Sequence, residues 1–176
     1  MTDMEKELIY IGSDSSGYEL KKIIMAHLDA AGYRYVDCGS GPENSRYPYF
    51  AARVASAVSR SEAKKGILVC GTGVGMSIAA NKFKGVRAAL ITDAYTARIT
   101  RRHNDSNILC LGGKMLGRWT AVNIVDVWLT TEYDGGHHQP SLDMLAEMET
   151  EMFTDLVWCP EEAPYQPFEW NPNQTV

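Results

Sequence analysis

The sequence predicts an α/β fold, a parallel five-stranded sheet with helices on both faces, and three observations carry that prediction. Short strand-like segments recur at residues 8–12, 33–37, 66–70, 86–91 and 108–111. Between them lie segments whose apolar residues fall at helical spacing. The middle segment, Gly66-Ile67-Leu68-Val69-Cys70, is apolar throughout, as a strand buried on both faces requires. Strands alternating with helices imply a parallel sheet with right-handed crossovers, hence a three-layer, Rossmann-like (flavodoxin-like) architecture.

In chain order, the first strand ends at Ser13-Asp14-Ser15-Ser16, where Ser16 and Glu19 fit a capping box. The helix that follows carries Leu20, Ile23, Ile24 and Leu28 on one stripe and stops near Gly32. After strand two, residues 39–46 hold Gly41-Pro42 and read as loop, and residues 49–58 place Phe50, Val54, Ala57 and Val58 at helical spacing. Strand three leads into a helix-compatible stretch at 76–83, strand four into a helix over 94–102 with a polar face. After strand five, residues 120–131 contain Val122, Ile124, Val125, Val127, Trp128 and Leu129 and are apolar nearly all round. Such a helix needs cover on more than one side, which predicts a subunit interface. Residues 141–153 carry Leu142, Leu145 and Met148 at helical spacing. Residues 1–158 are expected to form one domain. The Pro- and Asn-rich segment 159–176, with Tyr165, Phe168 and Trp170, is either a disordered tail or an aromatic anchor on a partner subunit.

A chain of 176 residues, 45% hydrophobic and 22% charged, suits a single sizeable core. Its net charge of -5, with Lys and Arg scattered, argues against a nucleic-acid groove, so a small anionic ligand needs a local basic pocket. Cys38, Cys70, Cys110 and Cys159 show no paired short spacing for zinc, and the first seven residues are charged rather than apolar. No apolar run approaches the roughly 18 residues of a membrane span. These features predict a cytoplasmic protein with reduced thiols and no membrane partner.

The apolar strand 66–70 is cut off by Gly71-Thr72-Gly73-Val74-Gly75, whose alternate glycines let the backbone turn sharply and approach a ligand. With a helix following, the loop amides favour an anion or a developing oxyanion. A thiol at that strand end suits a base or nucleophile; its plain alternative is a small buried hydrophobe. Gly71 and Gly73 after a strand, with Asp93 beyond the next one, also fit a dinucleotide site, but Met76 stands where the third glycine belongs. Ligands of open parallel sheets bind at the carboxyl ends of the strands, where Asp14, Cys70 and Asp93 lie and where His103 and Asn104 are expected. The plain alternatives are turn chemistry for Asp14 and a cap or loop for Asn104 and Asp105.

Several pieces recur in a recognisable order: Gly12-Ser13-Asp14, Gly17-Tyr18-Glu19-Leu20-Lys21, Tyr47-Pro48, all of 66–87, Arg102-His103-Asn104-Asp105-Ser106-Asn107, residues 111–117, and Gly135-Gly136-His137-His138-Gln139. In this order the chain resembles the ribose 5-phosphate isomerase B family, which includes the galactose 6-phosphate isomerase subunits. The resemblance implies an aldose-ketose isomerase, homodimeric or homotetrameric, with its site shared across subunits. It makes Cys70 the base that moves a proton between C1 and C2. The loop residues Gly71, Gly73, Val74 and Gly75 become the enediolate donors, with the Thr72 hydroxyl near the moving proton and Ser77 just beyond. His103 protonates the ring oxygen assisted by Asp14, and Asn104 and Tyr47 hold substrate hydroxyls or the carbonyl. No metal or cofactor is implied, because the glycine loop fills the electrophilic role.

The departures concern the phosphate. Ser15 stands where most of the family has histidine, His137 and Ser141 stand in place of two arginines that reach over from the other subunit, and Lys114 replaces an arginine. A different or unphosphorylated sugar is therefore a serious alternative to ribose 5-phosphate. Readings of another class are a non-catalytic sugar or sugar-phosphate sensor and a cysteine hydrolase built on Cys70, His103 and Asp14.

Overall fold

The computed structural model describes residues 7–39 and 46–153. The segment 159–176, including Cys159 and the expected aromatic anchors, lies outside the described residues. Five strands, β1 (Ile9–Ser13), β2 (Tyr35–Asp37), β3 (Lys65–Cys70), β4 (Ala88–Leu90) and β5 (Ile108–Gly112), form one parallel sheet in the order β2-β1-β3-β5-β4. The fold class is the one the sequence predicts, with the last two strands exchanged relative to the flavodoxin order. Burial explains the exchange. All five residues of β5 are buried and need a neighbour on each side, whereas β4 is three residues long, half-exposed, and suits the edge.

Alternate residues of the central strands feed two cores. Ile67, Val69, Leu109 and Leu111 face α1 (Tyr18–Ala30) and α5 (Arg118–Thr130). Leu68, Cys70, Ile108 and Cys110 face α2 (Tyr47–Ser59) and α3 (Val74–Ala80). Trp128 of α5 is fully buried and its indole N–H donates to Ser106 Oγ at 2.9 Å. Truncating so large a buried ring typically costs about 3–5 kcal/mol. The helix α4 (Ala94–Asn104) packs on α5, and a 3-10 turn (Gly136–His138) leads into α6 (Gln139–Met152).

Three expectations are corrected here. The Ser16–Glu19 capping box does not form: Gly17 is the cap residue of α1, and its N–H donates to Asp14 Oδ1 at 3.0 Å. On the stripe of α1, Ile23 is only half-buried and Lys21 is buried, its ammonium donating to Asp37 Oδ1 at 2.7 Å and Gly39 O at 3.3 Å. The helix at 118–130 finds its cover inside the chain, between α1, α4 and the sheet, which bury Ala121, Ile124, Val125, Trp128 and Leu129. It therefore gives no ground for an interface. Among the described residues α6 buries no side chain and exposes Met144, Leu145, Met148 and Met152. No helix among the described residues is long and apolar enough to cross a membrane.

Candidate active site

The strand β3 ends at Cys70, 5% exposed, because the glycine loop turns the chain away. Gly73 has φ +81°, and a β-carbon there would meet Leu90 Cδ1 at 2.5 Å and the Leu111 carbonyl carbon at 3.0 Å, so only glycine fits. Its N–H donates to Cys70 Sγ at 3.1 Å. Neighbouring loops are stitched to the same edge. Asp14 N–H donates to Val69 O at 3.2 Å, Gly113 N–H to Cys70 O at 2.7 Å and Lys114 N–H to Gly71 O at 3.0 Å. Tyr47 lies over the loop, where a β-carbon on Gly75 would come within 2.9 Å of its ring. Thr72 Oγ1 is exposed and accepts the Val74 N–H at 3.4 Å, while Ser77 Oγ donates to Val74 O at 2.9 Å. The carboxyl edge thus gathers Asp14, Ser15, Tyr47, Cys70 to Gly75, Ser77 and Lys114.

Burial pushes the Asp14 carboxyl above the usual carboxylate range, although the Gly17 and Ser16 N–H groups and the charge of Lys114 pull the other way. Burial raises the Cys110 thiol well above its ordinary value, which marks it as structural. Asp93 is a cap: it accepts from Thr96 N and Thr96 Oγ1, both at 2.8 Å, and these bonds hold its carboxyl below the usual range. The dinucleotide reading loses its acidic residue to that role.

His103 and Asn104 are not on this edge, which corrects the expectation from sequence. A crossover helix must return the chain to the start of the next parallel strand, so the last turn of α4 ends at the amino edge. Arg87, just before β4, donates from Nε to Asn104 O and Asp105 O, both at 3.0 Å, and Asn107 O accepts the Gly66 N–H at the start of β3 at 2.9 Å. A five-residue strand spans roughly 16 Å, so within one chain His103 meets neither Cys70 nor Asp14.

At the amino edge a second cluster forms. Arg102 grips Asp134 through Nε at 2.9 and 3.1 Å and Nη2 at 2.8 Å, which draws the following turn onto the end of α4. The His138 ring stacks on His103 with centroids 4.1 Å apart, and His137 tilts against His138 at 3.8 Å. Desolvation, then the neighbouring His137 and His103, hold the His138 imidazolium below its ordinary range. Ser141 lies exposed in the first turn of α6. Asp134 escaped sequence reading. The available signal was its place just ahead of the His137-His138 pair; its partner His103 lies on another element.

Residues 9–145 match the ribose/galactose isomerase family, and the chain belongs to it. It is 44% identical over 142 residues to the ribose-5-phosphate isomerase B of Escherichia coli (strain K12), a match covering 80% of this chain and 95% of that protein. Among solved structures it is similar to the ribose-5-phosphate isomerase B of Clostridium thermocellum (47% identity, TM-score 0.80, covering 82% of this chain and 98% of that one). It is also similar to that of Mycoplasma genitalium with bound ribulose-5-phosphate (42% identity, TM-score 0.79, covering 82% and 97%).

Proposed function

We propose that the protein interconverts ribose 5-phosphate and ribulose 5-phosphate, with Cys70 as the proton-transfer base and no cofactor. The observation that carries this reading is the Cys70 sulfur held by the Gly73 N–H at the carboxyl edge of a chain from this family. In this reading the open-chain aldose lies over the loop with C2 against the sulfur. The Cys70 thiolate takes the C2 proton and the electron pair moves onto the carbonyl oxygen O1 as a cis-enediolate; the thiol, exchanging with solvent, returns a proton to C1 while the O2 hydroxyl proton passes to O1, leaving the carbonyl at C2. Loop amides aimed at the developing oxyanion are worth typically 10²–10³-fold in rate per donor. The Thr72 hydroxyl stands beside the moving proton, and Tyr47 holds a substrate hydroxyl.

Ring opening needs an acid, and within one chain His103 does not reach Cys70. Two copies resolve this, with His103 of the partner subunit protonating the ring oxygen opposite Asp14, and Asn104 and His137 of the partner subunit completing the pocket. The carboxyl edge is suited to such cover, because Val74, Ile78, Leu90, Tyr95 and Met115 expose between 38% and 71% of their surface around it. The decisive experiment is turnover of ribose 5-phosphate in deuterated water by the wild type and Cys70→Ala. Ribulose 5-phosphate carrying solvent deuterium at C1, lost in the variant, supports the reading. Absence of both turnover and exchange overturns it, and an acyl adduct on Cys70 by intact mass identifies a cysteine hydrolase instead.

A second reading, an isomerase of a different or unphosphorylated sugar, is favoured by Ser15, His137 and Ser141, none of which carries a permanent charge. Turnover compared across pentoses, tetroses and hexoses with and without phosphate separates the two.

A further inference from the structure

Three of the chain's four histidines meet at the amino edge, away from the proton-transfer base. One ligand atom each from His103, Asp134 and His138 all lie within 4.8 Å of one another. We propose that these three side chains, with His137 beside them, bind a divalent transition-metal ion of the zinc class.

A tetrahedral ion roughly 2.0–2.1 Å from each ligand places the ligand atoms roughly 3.4 Å apart, so each has on the order of 1 Å to travel. Nothing in a packed core prevents that movement: His103 and His138 are half-buried and Asp134 is exposed. The stacked rings, 20° apart in plane, must turn about their side-chain torsions for their lone pairs to converge. The frame around them is fixed. His103 sits in the last turn of α4, where the helix's carbonyl end favours a cation. The Asp134 N–H donates to Arg102 O at 3.0 Å and ties the second ligand segment to that turn.

The Arg102 guanidinium occupies one side of the Asp134 carboxylate and leaves lone pairs for an ion, as outer hydrogen bonds to ligating carboxylates commonly do. Its charge opposes a cation, so the imidazoles dominate the donor set. Imidazole suits zinc, cobalt, nickel or copper and not magnesium or calcium. An occupied site takes the lone pair of His103 away from the sugar; this consequence, unlike the site itself, rests on the function proposed above.

The test uses full-length, chelator-treated protein titrated with Zn²⁺ by calorimetry and with Co²⁺ by visible absorption. The site predicts one ion per chain with tetrahedral Co²⁺ bands. His138→Ala and His103→Ala should each weaken binding by about tenfold or more, with circular dichroism unchanged. His27→Ala, at the histidine paired with Asp126 between α1 and α5, should bind as the wild type does. Unchanged affinity in the His103 and His138 variants overturns the proposal. So does a thiolate charge-transfer band, which would put the ion on a cysteine. In the same samples turnover should fall with Zn²⁺ occupancy and return with chelator. Full occupancy with turnover intact leaves the site standing and removes His103 from the reaction.

Discussion

Gly73 donates its backbone N–H to Cys70 Sγ across 3.1 Å, so the glycine loop and the thiol are one unit. Cys70→Ala removes a single sulfur atom from the core, at a stability cost on the order of 1 kcal/mol, yet should lower kcat by about 10²-fold or more. Gly73→Ala should behave differently. Its β-carbon meets Leu90 and the backbone of Leu111 at a φ only glycine adopts easily, so melting temperature and kcat should fall together. Steady-state kinetics beside thermal melts of both variants check this, and near-normal turnover by Cys70→Ala moves the base elsewhere.

The half-buried Asp14 carboxyl has its pKa raised, mainly by desolvation, so the folded protein holds this proton more tightly than the unfolded chain does. Linkage then has a definite sign. The contribution to stability is full below the unfolded carboxylate value and is lost as pH rises through the folded one. Asp14→Asn keeps an acceptor for the Gly17 N–H and removes the charge. It should melt higher than the wild type at pH 7, with the gain vanishing near pH 3, while turnover falls. A lower melting temperature at pH 7 would mean that the Gly17 bond and Lys114 outweigh burial.

The carboxyl edge was legible in the sequence because its parts are local: an apolar run, a glycine loop and a helix start lie within residues 66–83. Layer assignment followed from apolar runs that only a doubly covered strand tolerates. Strand order was not legible, because periodicity carries no information on which strand takes the edge. The edge on which His103 falls follows from the geometry of a crossover helix and not from residue type, and reading it with Cys70 missed that. The Thr120 end of α5 misled for a similar reason: an all-apolar helix reports how much cover it needs, not whether the same chain supplies it.

In the proposed reading the phosphate meets positions 137 and 141, four residues apart and both exposed where the 3-10 turn runs into α6. A charge-assisted hydrogen bond contributes roughly 1.5–3 kcal/mol, and arginine adds a fork that lysine and histidine lack. The double variant His137→Arg with Ser141→Arg should therefore lower KM for ribose 5-phosphate by about tenfold or more and leave an unphosphorylated pentose unaffected. KM measured side by side for ribose 5-phosphate and ribose is the check. An unchanged KM for the phosphorylated sugar means that other residues already hold the phosphate.

Cys70 and His103 lie at opposite edges of one sheet, and this separation makes the shared site testable. If each pocket pairs Cys70 of one chain with His103 of the partner subunit, Cys70→Ala and His103→Ala homodimers are both inactive or nearly so. After mixing through unfolding and refolding, half the dimers are hybrids, and each hybrid holds one pocket with both residues intact and one with neither. Activity should recover to about a quarter of wild type, as a symmetric two-site assembly requires. His137→Ala mixed with Cys70→Ala should recover likewise if His137 reaches the same pocket. The exposed apolar rim at the carboxyl edge and the apolar side chains that α6 exposes among the described residues make a dimer or larger oligomer the expected state at micromolar concentration by light scattering. A monomer with full activity, or mixed dimers no more active than their parents, would place the ring-opening acid within the chain that carries Cys70, and Asp14, a carboxyl of raised pKa on the same edge, would be the residue to substitute next.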